Sequence, residues 1–184
     1  MMVGIETPRL ILRDHVPEDA AALHAILSDP AATCYIPSMR HEDPDETRRY
    51  VEATIRDIDA SPRVRYNLAI VIRENRLIGE VGLHLIDGEP DCGHYGLGYY
   101  LHPDFWNRGC ATEAARAALD FIFERGAFRV SASCLAENLG SRRVLEKCGM
   151  TQEALLIKHT RHDGEWKDCA VYRAFRCDCI PLSH

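Results

Sequence analysis

The sequence has no apolar run long enough to span a membrane, and its N-terminus lacks the apolar stretch of a secretory signal. It also lacks any surplus of positive charge, because 22 Lys and Arg stand against 28 Asp and Glu, for a formal net charge of -6. That balance argues against nucleic acid as the main partner. We therefore expect a cytoplasmic protein that binds neither a membrane nor a nucleic acid.

Signatures of metal and nucleotide binding are missing as well. The 8 cysteines form no Cys-x-x-Cys pair, and the 9 histidines form no His-Glu-x-x-His cluster. We therefore expect no metal site and reduced thiols, with Cys177 and Cys179 possible exceptions to burial. Neither the phosphate loop G-x-x-x-x-G-K-[ST] nor the dinucleotide fingerprint G-x-G-x-x-G occurs.

What remains is a chain of ordinary globular composition, with 46% hydrophobic and 27% charged residues and no repeat or linker. We expect residues 1–184 to form one domain. Periodicity and turn residues predict the order β-α-α-β-β-β-α-β-α-β-β, an α+β fold with a mixed sheet of about seven strands and about four helices. Residues 31–44 are predicted to be a loop.

One stretch around Gly109 suggests an anion site. A strand ending at Leu101 is followed by a turn, and a helix of strong formers begins after Gly109. The first N–H groups of a helix have no intrahelical partner, and the helix dipole places partial positive charge there. Gly109 allows close approach of a bulky anion, and Arg108 adds a full positive charge.

A second stretch places polar groups at the start of another helix. Asn138 is a good N-cap residue, and Ser141 and Leu145 follow at spacings that share one face of the helix. Taken alone, the segment is explained by Asn138 as a cap and Ser141 as a polar first-turn residue.

Together the two stretches resemble the GNAT superfamily of acetyl-CoA-dependent N-acetyltransferases. The string WNRGCATEA resembles the branch that acetylates the N-terminal alanine or serine of ribosomal proteins. Similar strings cover nearly the whole chain: TPRLILR, VIRENRLIGEVGL, ENLGSRRVLEKCGM and HDGEWKDCAVY. The resemblance implies the GNAT acyl-CoA N-acyltransferase fold, with a mixed and mostly antiparallel sheet.

The resemblance also implies a site for the cosubstrate acetyl-CoA and direct attack by an amine on the thioester. Ser141 and Asn138 are the implied catalytic residues, with Ser141 at the thiol sulfur because Leu145 stands where many relatives place a tyrosine. The implied contacts of acetyl-CoA are Tyr100, Leu101, Arg108, Gly109, Cys110, Ala111, Thr112, Asn138, Ser141 and Arg143. The strands Tyr99–Leu101 and Val130–Leu135 are expected to splay apart, with a backbone N–H near Leu101 facing the thioester oxygen.

The residues leave several points open. Glu80, His94 and Tyr99 are all candidates for the general base, since Gly96 stands where many relatives carry an acid. Asp168 and Tyr172 of the last hairpin either order the sheet or border the acceptor cleft. The acceptor is a protein N-terminus or a small amine such as a polyamine, an amino acid or an aminoglycoside. A non-catalytic CoA-binding regulator and a homodimer are further alternatives.

Overall fold

The structure is a computed structural model, and it describes residues 2–176, so Cys177 and Cys179 lie outside the described residues. It contains eight β-strands, five α-helices and two short 3₁₀ turns. The strands are β1 Gly4–Glu6, β2 Leu10–Asp14, β3 Arg65–Ile72, β4 Leu77–Asp87, β5 His94–Leu101, β6 Arg129–Leu135, β7 Thr151–His162 and β8 Glu165–Phe175. The helices are α1 Asp19–Leu27, α2 Pro30–Thr33, α3 Pro44–Ile58, α4 Cys110–Glu124 and α5 Leu139–Lys147.

All eight strands form one sheet in the order β1-β2-β3-β4-β5-β6-β8-β7. Six neighbouring pairs are antiparallel, and only β5 and β6 run parallel within the described chain. The predicted α+β class with a mixed, mostly antiparallel sheet is therefore confirmed. The parallel pair is connected through α4, as a crossover between parallel strands requires.

Helices cover both faces of the sheet. On one face α4 and α5 pack over the larger core, to which α4 contributes Leu119 and Ile122 and α5 contributes Leu145. On the other face α1 and α3 pack over a smaller core that includes Leu23 and Val51. The alternation of side chains along each strand supplies both cores, because successive residues point to opposite faces.

The structure differs from the sequence prediction mainly at the edges. Strand β1 was missed because three residues are too few to show a periodicity. Residues 31–44 are not a plain loop, since they contain most of α2 and a 3₁₀ turn at Pro37–Met39. Helices α2 and α3 each begin with an Asp-Pro pair, in which the aspartate accepts a backbone hydrogen bond. Within residues 2–176, no helix is long and apolar enough to cross a membrane.

The parallel strands separate along their length. They pair only at three positions, where His94, Tyr95 and Gly96 face Arg129, Val130 and Ser131. Beyond Gly96, β5 remains paired with β4 and β6 remains paired with β8, but β5 and β6 no longer pair with each other. The expected splay is therefore present, and it opens a gap in the middle of the sheet.

Candidate active site

The turn before α4 follows the end of β5, the strand that borders this gap. Asn107 and Gly109 both have left-handed backbone conformations, with φ of 57° and 80°. Gly109 is the N-cap of α4 and forms no side-chain cap, so the first N–H groups of the helix are left for a ligand. A Cβ added at Gly109 would lie 3.1 Å from Nη2 of Arg9, and any residue other than glycine would be strained by the left-handed backbone conformation at this position. Glycine therefore suits a loop that a bulky anion approaches closely.

Positive charge surrounds the same turn. Arg108 is exposed, with its guanidinium 5.6 Å from the centre of the Phe105 ring. Arg9 donates from Nη1 to the Arg108 carbonyl at 2.7 Å and from Nε to a Glu113 carboxylate oxygen at 2.6 Å. The negative charge of Glu113, which would repel an anion at the helix start, is thus paired with a cation. The turn combines the helix dipole with the uncompensated charge of Arg108.

Glu113 is held firmly in this role. Its carboxylate also accepts hydrogen bonds from the Thr7 hydroxyl at 2.6 Å and from the Arg9 backbone N–H at 2.9 Å. Partial burial would raise the pKa of Glu113, but these bonds and the charge of Arg9 outweigh it and lower the pKa below its ordinary value. The contact fastens the start of β2 to the first turn of α4, although about a hundred residues separate them.

The backbone of β5 presents unpaired groups to the gap. The N–H of His102 donates to the Ile78 carbonyl of β4 at 2.8 Å. In an antiparallel ladder, successive residues alternate between facing the partner strand and facing away. The amide groups of Leu101 and Tyr99 therefore point away from β4, toward β6. The Leu101 carbonyl is occupied by the indole N–H of Trp106 at 2.9 Å, which leaves the Leu101 N–H for a ligand oxygen.

The start of α5 closes the gap from one side. The Asn138 side chain accepts a hydrogen bond from the Ser141 N–H at 3.0 Å, as predicted for an N-cap. The Ser141 hydroxyl lies 2.9 Å from the Tyr99 hydroxyl of β5. Burial raises the pKa of Tyr99 above its ordinary value, although the bond to Ser141 partly opposes this. Two neutral hydroxyl groups therefore meet between β5 and α5.

Not all predicted cofactor contacts lie together. Leu101 ends β5, the residues from Arg108 to Thr112 form the turn and the first turn of α4, and Asn138 and Ser141 begin α5, where Ser141 contacts β5 through Tyr99. Cys110 is buried in the larger core, so only its backbone N–H faces outward at the helix start. Tyr100 points to the opposite face of the sheet and packs against the smaller core. Arg143 is exposed on α5, and its side chain has no hydrogen-bond partner among residues 2–176.

Glu80, a predicted candidate base, is buried and already engaged. One carboxylate oxygen lies 2.9 Å from His15 Nε2, and the other accepts a 2.6 Å hydrogen bond from the Tyr50 hydroxyl. Burial alone would lower the pKa of His15, but hydrogen bonds to Asp19 and Glu80 raise it to about 9. Glu80 therefore forms an ion pair with a protonated imidazole, which opposes its acting as a base.

The remaining predicted side chains have structural partners. His94 lies 2.7 Å from the Ser131 hydroxyl. Tyr172 is fully buried and donates to Glu146 at 3.0 Å. Asp168 accepts the Lys158 N–H at 2.8 Å, which fixes a bulge where β7 places three residues opposite one of β8.

The bulge in β7 brings side chains over a cavity of about 360 Å³ at the point where β5 and β6 separate. The cavity lies against the last paired residues of both strands and the first unpaired ones, with β4 and β7 forming its walls. Its lining residues are His84, Ile86, Gly96, Leu97, Ser131, Ala132, Ser133, Leu156, His159, Thr160, Cys169 and Val171. No carboxylate occurs among them, and no group of three potential metal ligands occurs among the described residues.

Sequence reasoning missed three groups near the site: Arg9, His15 and Tyr50. Arg9 lies just before β2 and His15 just after it, and Tyr50 lies in helix α3. No local pattern therefore connects them with Glu113 or Glu80. Only the fold of the sheet brings them together. The one sequence signal that could have revealed this buried cluster is a charged residue inside an otherwise apolar segment, such as Glu80 within β4.

A sheet split between parallel strands, with a glycine-led helix N-terminus over the split, defines an acyl-CoA-binding α+β protein. Comparison with known proteins supports the same class of protein. The family model described as acetyltransferase (GNAT) domain matches residues 9–151. An uncharacterized N-acetyltransferase, YnaD of Bacillus subtilis (strain 168), is 31% identical over 177 residues, covering 91% of this chain and 94% of that protein.

The chain belongs to the GNAT acetyltransferase family, and it is an acetyl-CoA-dependent N-acetyltransferase. Two solved structures share its fold. RimL, a ribosomal L7/L12 α-N-protein acetyltransferase in complex with coenzyme A, has a TM-score of 0.81 at 21% identity, over 94% of this chain and 98% of its own. Spermidine N-acetyltransferase from Vibrio cholerae, in complex with CoA and spermine, has a TM-score of 0.80 at 19% identity, with the same coverages.

Proposed function

We propose that the acetyl acceptor is the N-terminal α-amine of a protein, such as a ribosomal protein, and that the reaction takes place in the cytoplasm. The observation that carries this proposal is the lining of the cavity at the split between β5 and β6. Imidazole, hydroxyl and apolar groups line it without a carboxylate. A polyamine carries several positive charges and is best held by carboxylates, whereas a peptide presents one amine followed by an uncharged backbone.

The rim of the cavity also suits a peptide. Ile86 is 51% exposed beside it, and Leu156 is half-buried in the opposite wall. These apolar groups can contact the side chains of the first acceptor residues, while Ser133 and Thr160 offer hydroxyl groups to a peptide backbone. Carboxylates in the neighbouring cluster do not compete, because Glu80 and Asp19 are paired with protein cations.

The proposed chemistry follows from the geometry of the gap. The diphosphate of acetyl-CoA binds to the N–H groups at the start of α4, and the Leu101 N–H stabilises the oxyanion that forms on the thioester carbonyl. The neutral amine attacks directly, so no cysteine nucleophile is needed. Ser141 gives a proton to the departing thiolate, and Asn138 holds the helix start that positions it.

An α-amine is also the easier acceptor to deprotonate. Its unperturbed pKa is about 8, against about 10.4 for a lysine side chain, so about a tenth of it is neutral at pH 7. A weak base in the cavity therefore suffices to take the proton that the amine nitrogen must lose during the reaction.

Acceptor profiling tests the proposal. Initial rates with acetyl-CoA are measured for peptides with N-terminal Ser or Ala, for the same peptides with a blocked α-amine and a free lysine, and for spermidine and an aminoglycoside. We expect kcat/KM to be highest for free N-terminal peptides and to vanish when the α-amine is blocked. Higher kcat/KM for spermidine would refute the proposal and establish the second candidate, small-amine acetylation, which the shared fold with the spermidine enzyme favours.

A further inference from the structure

A histidine that the sequence did not single out lies at the apex of the split. His84 of β4 is the direct cross-strand neighbour of Gly96 of β5. A Cβ added at Gly96 would lie only 2.6 Å from Nε2 of His84, closer than real side chains approach. The imidazole therefore occupies the space that a side chain at position 96 would take, and the glycine is what allows it to lie there.

The ring of His84 lies at the point where β5 and β6 separate. Gly96 is the last residue of β5 that pairs with β6, so the ring lies where the gap for the acyl group begins. His84 also lines the cavity of about 360 Å³ and is exposed, so an acceptor entering from this side reaches it. No other imidazole of the lining lies over the split itself, since His159 belongs to the β7 wall.

We propose that His84 accepts the proton of the attacking amine and is therefore a catalytic residue. The amine nitrogen forms a bond to the thioester carbonyl carbon, whose π electrons move to the oxygen. His84 takes one proton from the nitrogen through water, because Gly96, which His84 faces, lies five residues along β5 from Leu101. The tetrahedral intermediate then collapses, the C–S bond breaks, and Ser141 gives its proton to the departing thiolate of CoA. Water takes up the proton held by His84 and returns one to Ser141, which leaves the acetylated amine, free CoA and the enzyme in its starting state.

The surroundings of His84 favour its neutral form. Partial desolvation in the cavity lowers the pKa of His84 below its ordinary value, and the positive charge of Arg65 on β3 lowers it further. The other titratable groups that face it are His94 of β5 and His159 of the β7 wall, and neither is an anion. An imidazole in this setting is unprotonated at neutral pH and ready to accept a proton.

The other candidate bases are less suited to this step. Both oxygens of Glu80 are engaged by His15 and Tyr50. The Tyr99 hydroxyl is bonded to Ser141 on the opposite side of the gap, and burial raises its pKa. His94 is bonded to the Ser131 hydroxyl. His84 alone of these combines an unpaired imidazole with exposure to the cavity among the described residues.

The test compares His84→Gln and His84→Ala with the parent enzyme, on whichever amine the parent acetylates fastest, so that it does not depend on the acceptor proposed above. We expect kcat to fall about 100-fold or more while KM for acetyl-CoA stays within about threefold. The part of the acidic limb of the kcat/KM profile that reports His84 should disappear in both variants, while the part that reports the amine substrate should remain. Added imidazole should restore part of the rate of His84→Ala but not that of the parent. His24→Gln, a histidine in α1 away from the cavity, is the matched control and should keep the parent rate.

Two results would overturn the proposal. One is a His84→Gln enzyme with the parent kcat and the parent pH profile. The other is a fall in rate that is matched by an equal loss of acetyl-CoA binding in calorimetry, because that would assign His84 a structural role. If peptides are poor substrates but His84→Gln still slows acetylation of a small amine as described, the acceptor proposal fails while the role of His84 stands.

Discussion

Replacing His15 with glutamine should remove a pH dependence from the stability of the protein. The His15 side chain is fully buried between two carboxylates, with Nε2 2.9 Å from Glu80 and Nδ1 3.2 Å from Asp19. Despite burial, these partners raise the pKa of His15 from 6.5 to about 9. Because the pKa is higher in the folded state, protonation stabilises the fold most below pH 6.5, and this stabilisation is lost as the pH rises through 9.

The size of the effect follows from the shift. A rise in the pKa of His15 from 6.5 to about 9 corresponds to about 3 kcal/mol of unfolding free energy when His15 is fully protonated. Most of it is present at pH 6, and less than about 1 kcal/mol remains at pH 9. The parent protein should therefore lose about 2–3 kcal/mol over this range through His15 alone, while His15→Gln should lose nothing at this site.

Urea denaturation of both proteins at pH 6, 7, 8 and 9 measures the difference directly. The difference in unfolding free energy between parent and His15→Gln should shrink steadily toward pH 9, with unchanged m-values. The exposed His159→Gln is the control and should run parallel to the parent. A difference between parent and His15→Gln that is constant with pH would refute the reasoning, because it would mean that His15 is neutral in the folded protein.

Three substitutions test the proposed cofactor and acceptor sites. Ser141→Ala should lower kcat about 100-fold in steady-state kinetics and leave the Kd of CoA unchanged; unchanged kcat would contradict its role as an acid. Gly109→Val should raise the Kd of CoA about five- to thirtyfold in calorimetry, since a side chain in the left-handed region costs about 1–2 kcal/mol. Gly164→Val, with a φ of 81° in the distant β7–β8 turn, carries the same backbone strain and should leave that Kd unchanged. Asp168→Ala frees the Lys158 N–H and should raise KM for the amine but not for acetyl-CoA; equal rises in both would count against a role in the acceptor cavity.

Local features of the sequence were enough to predict the two helix starts at which we propose that the cofactor binds. Gly109 after a strand, a helix of strong formers and the Asn138 cap each have a local physical cause, and the structure places them as expected. The splay of β5 and β6 was expected from the family resemblance, and the pairing confirms it.

Contacts across the sheet could not be read in the same way. The bond from Arg9 to Glu113 joins residues about a hundred positions apart. The placement of His84 over Gly96 depends on the register between β4 and β5, which no single strand reveals. The sequence showed a glycine at position 96, where many members of the family carry an acidic residue. It could not show that His84 of the neighbouring strand occupies the space above this glycine.

The central claim is that the diphosphate of coenzyme A binds at the start of α4 and leaves its sulfur beside Ser141. A crystal structure of the protein with coenzyme A tests it most directly. We expect phosphate oxygens within hydrogen-bond distance of the backbone N–H groups from Gly109 to Thr112, and the sulfur in the gap between β5 and β6. Density for the coenzyme at any other surface, or a gap closed by side chains with coenzyme A present, would contradict it.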